Sequence, residues 1–376
     1  MRRAVRAREA GLSLIELMIA LLIGTILLVG LVQVFGASRS AYQLSEGMAR
    51  TQENARFAMD YLQRDLRMAG HYGCVNDQAH LQMADALRTH FGATPAFGLE
   101  FGISVVGYDA DDTGPDDTVT LGSEAAGWTP GLPAAVAALD PLPGSDIVVL
   151  RYLGGNGAPL TAMSATGDSL SVPAARWEVL TQEGVANPTL FGVADCSHVD
   201  IFEGAADGAG GVTVDPAVGL AERYTVQPAG QTMLYRAESL VYYVGTGASG
   251  EPSLFRARFD GSDYVPEELV EGIENLQLLF GQDRVADLTA GPPSGYIAFQ
   301  RPASAVTDTE PDWRRVGTIG VGLLARSPNP AAAAAPEVAN RKSALGVVFD
   351  PSGVADGRYR DTYETTVALR NRLYGN

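Results

Sequence analysis

Four groups of residues in this chain are of types that do chemistry. The run "GDSLS" (167–171) offers Ser169, and "DCSH" (195–198) offers Asp195 and His198. As nucleophile, base and orienting acid these three would support acyl transfer, the imidazole taking the hydroxyl proton while the carboxylate holds the ring. His71 with Cys74 (H-x2-C) and Cys196 with His198 (C-x-H) make a Cys2His2 set for zinc, though not at zinc-finger spacing. "YDADDTGPDDT" (108–118) spaces Asp109, Asp111, Thr113 and Asp117 as a calcium loop does, with Gly114 at the turn. Position twelve of that loop is Thr120, where calcium requires a bidentate glutamate, so a solvated acidic turn is the preferred reading. The fourth group is a single residue. Glu16 is the only charge between residues 12 and 34.

The elements that must position these residues begin with that apolar run. Residues 12–34 contain no proline and as a helix reach about 34 Å, enough to cross a hydrocarbon core. Arg2, Arg3, Arg6 and Arg8 precede the run and the next basic residue is Arg39, which places the short leader in the cytoplasm and exports the rest. A carboxylate at that depth costs about 2.5–3.5 kcal/mol and calls for a partner. A secretory signal cleaved near Gly36 is the alternative, but the run is longer than such a segment and the helical pattern continues past it. Leu44, Met48, Ala55, Met59, Leu62, Leu66 and Ala69 form an apolar stripe, with Glu46, Arg50, Glu53, Arg56, Asp60, Arg64 and Arg67 on the solvated side. One helix from residue 12 to about 69 is expected, some 87 Å long, with a break at Gly36 or Gly47 as the alternative.

After Gly70 short β-type runs alternate with Gly/Pro/Asp/Ser turns. Strands are expected at 117–121, 145–153, 198–202, 223–227, 239–245, 253–259, 316–327 and 363–372. Residues 266–283 read as a turn or short helix running into a strand, and 329–342 as a loop around an alanine run. No internal repeat or linker divides this part, so the expectation is one α+β unit with an antiparallel sheet. A net charge of −17 argues against a nucleic-acid surface. One lysine, Lys342, stands against 26 arginines, which with the many alanines and glycines reads as coding bias. Two cysteines suffice for one staple, and in an oxidising compartment Cys74 and Cys196 usually pair, in competition with the zinc set. His80 and His90 have no evident partners and are expected at the surface.

Several stretches resemble known families. "GLSLIELMIALLIG" resembles the processing site of type IV prepilins. The resemblance implies cleavage between Gly11 and Leu12 by a prepilin peptidase, N-methylation of Leu12, and Glu16 as the acid that meets the free amine of a neighbouring subunit. This chain has Leu12 where the family usually has phenylalanine. "YLQRDLRMAGHYGC", "ADCSHVDIF", "ELVEGIENLQLLFG", "DWRRVGTIGVGLLARS" and "RDTYETTVALRNR" resemble PilW-type minor pilins in order and spacing, and more distantly the J-type pseudopilin of type II secretion. The implied fold is pilin-like: a leader (1–11), a transmembrane half-helix (12–34), an exported amphipathic half (35–69) and a β-rich head (70–376). The implied function is non-enzymatic, without cofactor. It is that of an inner-membrane subunit with its head in the periplasm, which joins other minor pilins and the major pilin through the assembly platform. There it starts the pilus and sits at its tip, where a tip adhesin is a further expected partner. "GDSLS" with "DCSH" is similar to the motifs of GDSL esterases, but there the two lie near opposite ends of the domain. Here they lie close together, with no parallel βαβ pattern around them.

Overall fold

The computed structural model describes Gly11 and residues 13–76, 85–214, 218–307, 309–331 and 341–372. The leader residues 1–10, Leu12, His80 and most of the alanine loop (332–340) lie outside the described residues.

One unbroken helix, α1 (Leu14–Met68), opens the fold. Its length of about 82 Å follows from the rise of an α-helix. Neither Gly36 nor Gly47 interrupts it. Gly36 has open space around it, whereas Gly47 is a point of close approach, since a Cβ there would sit 3.1 Å from the Ala331 Cβ and 3.3 Å from the Ser327 Cβ. The face that packs on the head is Gly47, Thr51, Ala55, Ala58, Met59, Leu62, Asp65 and Leu66. This corrects the expected stripe at its upper end, where Met48 is exposed. Small residues line the top because the helix closely approaches the small side chains of Ser327 and Ala331 there, and larger ones take over lower down. Leu62 and Leu66 are fully buried, worth about 2 kcal/mol each in burial. All seven residues of the expected solvated face are exposed.

The longer strands, in chain order, are β1 (Val105–Ala110), β2 (Ile147–Leu153), β3 (Leu190–Ala194), β4 (Val199–Ala206), β5 (Met233–Thr246), β6 (Pro252–Phe259), β7 (Tyr264–Glu271), β8 (Ile273–Asp283), β9 (Ile297–Arg301), β10 (Val316–Pro330) and β11 (Arg358–Ala368). The larger sheet runs β1–β2–β5–β3–β4 and on through shorter strands, with β6 and β7 joined to β5. A second sheet has the order β9–β8–β10–β11, and α1 lies mainly against β10 and β11. A three-stranded sheet is made by Lys342–Ala344, Val347–Asp350 and Thr118–Thr120. Pairing is antiparallel except where Leu87–Thr89 joins β4 and Thr118–Thr120 joins Val347–Asp350. The architecture is α+β, as its alternating sequence patterns imply.

Two expectations are corrected here. Residues 223–227 form no strand and follow a short 3-10 turn at Leu220–Glu222. Residues 266–283 are not a turn feeding one strand but β7 and β8, which belong to different sheets and meet at Gly272. Gly272 has φ +81°, and a Cβ there would be 2.8 Å from the Arg326 carbonyl oxygen, so only glycine fits this reversal. Pro266, Glu267 and Glu268 are each exposed along β7, an edge strand where charge and proline block further pairing.

Candidate functional site

The amino-terminal end of α1 is built around Ser13 and Glu16. Ser13 is the N-cap: its Oγ accepts from the Glu16 N–H at 3.3 Å, while Glu16 Oε2 accepts from the Ser13 N–H at 3.0 Å and from its hydroxyl at 2.9 Å. This is a capping box, and it gives Glu16 a partner within its own chain. The signature S-x-x-E is visible at 13–16 and was not used in reading the sequence. Beyond it, every large apolar residue from Leu14 to Phe35 is more than half exposed, from 52% at Ile19 to 77% at Leu14. By length and composition this stretch can cross a membrane. An apolar cylinder left bare to this extent requires lipid or other helices around it. Gly11, at the expected cleavage point, is exposed.

At its other end α1 is fixed by a buried polar cluster that the sequence reading did not anticipate. Asp65 Oδ2 accepts from the Tyr242 hydroxyl at 2.6 Å and from Arg256 Nη1 at 3.2 Å, and Oδ1 accepts from Arg64 at 3.3 Å. Arg256 reaches on to Glu267 at 2.8 Å and Glu183 at 3.4 Å. Arg258 bridges Glu183 and Glu238, and Arg236 completes the chain at Glu238. Asp65, Arg256, Glu238 and Tyr242 are all buried. Burial first, and then the adjacent Asp65, hold the Tyr242 phenol well above its usual pKa, so it stays protonated and donates. The cluster locks the helix to β5, β6 and β7.

The helix end is also tied covalently. Cys74 and Cys196 form a disulfide with Cα atoms 4.7 Å apart and a sequence separation of 122. Closing so large a loop contributes about 4–5 kcal/mol in the chain-entropy account. It also removes both thiolates from the zinc set. His71 Nδ1 lies 2.8 Å from the Leu153 carbonyl, and burial holds its pKa below the usual value, so the neutral ring donates to that oxygen. His198 is left beside Asp195 at 3.8 Å.

The other candidate groups do not assemble. Ser169 pairs with Thr213 and Thr213 with Ala205, so Ser169 sits two strands from Ala205. His198 precedes Ala205 by about seven residues, or about 23 Å of strand, which separates nucleophile from base. The Asp195 carboxylate instead accepts the backbone N–H groups of Ser197 at 2.6 Å and His198 at 2.7 Å. In the calcium-like run, Thr113 donates to the Ala110 carbonyl, Asp117 accepts from the Gly114 N–H, and Asp111 accepts from Thr129. Asp109 turns inward to Asp146. Among the described residues no group of three or more His, Cys, Asp or Glu is placed to hold a metal ion.

His90 corrects an expectation of solvent exposure. The parallel pairing of Leu87–Thr89 with β4 carries it inward, and its Nε2 lies 2.7 Å from Asp200 Oδ1. Asp200 is fully buried and also meets the Tyr224 hydroxyl at 2.6 Å and Arg223 at 3.1 Å. A buried carboxylate needs such partners.

Asp109 and Asp146 are themselves a feature. Asp146 is buried and accepts from the N–H groups of Ala110 at 2.9 Å and Leu278 at 2.7 Å, joining β1, β2 and β8. Burial, then the neighbouring Asp109, pushes its pKa well above the usual carboxylate range; burial chiefly raises Asp109 as well, with Asp111 and Asp117 adding to it. The folded chain therefore keeps a proton that the unfolded chain releases. The stability this supplies is complete below about pH 4 and declines as pH rises through the raised values. Asp109→Asn should donate an amide N–H to Asp146, relieve the repulsion, flatten that decline, and raise stability at pH 7 by about 1 kcal/mol, the net worth of one hydrogen bond. Urea midpoints between pH 4 and 8 measure this; an unchanged slope would show that the pair does not titrate as described.

A long helix, bare and apolar at one end and packed on an antiparallel head at the other, defines the pilin-like class. Residues 6–32 match the family model of the prokaryotic N-terminal methylation motif, and residues 241–371 match that of the type IV pilus-assembly protein W. The first spans the capped start of α1 and the second runs from within β5 to beyond β11. Together they support a PilW-type minor pilin, and they point to a structural pilus component rather than an enzyme. No curated protein and no solved structure matches the chain.

Proposed function

We propose that this chain is a minor pilin that helps start type IV pilus assembly and takes a place in the tip complex. The observation that carries the reading is the uncovered apolar half of α1 with Glu16 at its head. Among the described residues nothing of this chain's own head covers it, so its partners are lipid before assembly and other helices afterwards. In this account residues 1–11 are a leader removed by prepilin peptidase, and 12–34 anchor the chain in the inner membrane. Residues 35–69 carry α1 onto the head, and 70–376 form that head in the periplasm. The partners are other minor pilins, the major pilin, the assembly platform and a tip adhesin.

N-terminal mass analysis of protein purified from membranes tests the reading, with N-methyl-leucine at Leu12 as the expected first residue. In Gly11→Val, cleavage should be lost and the leader retained, seen as a chain of full length. A mature-sized band in that variant, or a native start near Ala37, would overturn the assigned site. Deleting the gene should remove pili; loss of exoprotein release with pili intact would instead make it a type II secretion pseudopilin.

A further inference from the structure

Sheet ends are where one polypeptide can add a strand to another, and most ends in this fold are closed to it. β7 carries Pro266, Glu267 and Glu268. β11 is flanked by the three-stranded sheet, through Lys342 to Asp361 and the Leu345 N–H to Glu364. At the far end of the larger sheet stands the two-residue strand Ala162–Met163. β9 differs. It pairs with β8 on one side, and among the described residues nothing pairs its other side. It contains no proline, lysine or acid (IAFQR).

Its exposed side chains are not those of a guarded edge either. Tyr296 is 64% and Phe299 50% exposed. Phe299 pairs with Gln282 but Ile297 with Asp283, so one extra residue is accommodated in β9. The Arg284 N–H continues the ladder to the Tyr296 carbonyl at 3.0 Å. By this register Tyr296, Phe299 and Arg301 fall on one face together with Arg284; without the extra residue Tyr296 and Phe299 would point to opposite faces. Each ring carries a guanidinium, Arg284 at 5.6 Å from the Tyr296 centroid and Arg301 at 4.7 Å from that of Phe299. An open backbone edge is thus combined with two aromatic rings and two cations on a chain whose net charge is −17.

We propose that β9 is a docking edge for an extended, acidic segment of another polypeptide. The segment adds as a strand, its backbone supplying the hydrogen bonds and its alternate carboxylates meeting Arg284 and Arg301. Its apolar atoms lie over Tyr296 and Phe299, whose stacked guanidiniums lose little freedom on binding. A second copy docking edge to edge would set two pairs of guanidiniums against each other, so the occupant is a different, acidic strand. This surface does not depend on the pilus reading, and its test needs no filament.

The test uses the full chain in detergent and three fluorescein-labelled hexapeptides: alternating Glu-Val, alternating Arg-Val, and alternating Glu-Val methylated on every backbone nitrogen, which keeps the charge but cannot donate along a strand. Fluorescence anisotropy should show saturable binding of the Glu-Val peptide with Kd below about 1 mM. Binding of the other two should be at least tenfold weaker. The double variant Arg284→Glu/Arg301→Glu removes one exposed guanidinium and one half-buried guanidinium that donates to the Ala305 carbonyl at 3.3 Å; it should lose at least tenfold for the Glu-Val peptide while a cooperative thermal melt shows that the fold is kept. Equal binding of the plain and the N-methylated Glu-Val peptides would reduce the edge to a charge patch. That result, an indifferent double variant, or no Glu-Val binding up to about 1 mM would each overturn the proposal.

Discussion

Glu16→Ala should give a chain that inserts and is processed normally but is largely missing from filaments. Removing a carboxylate from an apolar span takes away a cost of about 2.5–3.5 kcal/mol, so membrane insertion is not harmed. What is lost is the charge available to a neighbour's amine, a pairing in which each group relieves the other's desolvation. The structure adds a second, local role that must be separated from this one. Glu16 closes a capping box with Ser13, so alanine also removes one half of a cap whose worth is about 1 kcal/mol. Two further variants divide the roles. Glu16→Gln keeps a side chain that can serve the cap but carries no charge, and Ser13→Ala weakens the cap while keeping the charge. If charge pairing governs assembly, the glutamine variant behaves like alanine and Ser13→Ala assembles. Immunoblots of sheared pili against membrane fractions read the outcome. Normal incorporation of the glutamine variant would mean that the cap, not the amine, is what Glu16 serves.

Asp65→Ala should be the most damaging single substitution at the junction of helix and head, at about 3 kcal/mol. Breaking a buried ion pair from one side leaves the other charge uncompensated, with typical costs of about 3–5 kcal/mol. Here Arg256 keeps Glu267 and Glu183, which places the loss at the lower end, while the Tyr242 hydroxyl loses its acceptor. Asp65→Asn retains an acceptor for that hydroxyl and should cost less, about 1–2 kcal/mol. Denaturant midpoints on the detergent-solubilised chain, with the disulfide intact, measure both. A loss under about 0.5 kcal/mol for alanine would mean the cluster is ornamental to helix docking. The consequence for a filament subunit is mechanical: tension enters through α1 and passes to the head at this cluster and at the adjacent disulfide.

How far the sequence reaches can be judged from these same residues. The long helix, its apolar half, its solvated charges and the alternating strands are local patterns, because periodicity of 3.6 or 2 is set by which side of one element is covered. Gly47 and Asp65 are different. A glycine and an acid inside a helix look like a weakness and a surface charge until the Ser327 and Ala331 side chains and Tyr242 with Arg256 arrive from more than 170 residues away. His90 was misplaced for the same reason, since a parallel pairing with β4 cannot be read from either strand alone. The PEE run was misread because its exposure depends on β7 being a sheet edge.

By itself, then, the sequence determined an apolar helix of membrane-crossing length ahead of a β-rich part, because an apolar run and the basic residues before it are properties of consecutive residues. It also determined that Ser169, Asp195 and His198 were available as types, but not that the register holds Ser169 and His198 about 23 Å apart along the sheet. Only the tertiary structure decided which carboxylates are buried together and which sheet edge is left open. Those depend on pairings between distant segments, where contact free energy is gained only after the chain has closed long loops, and no local pattern records them.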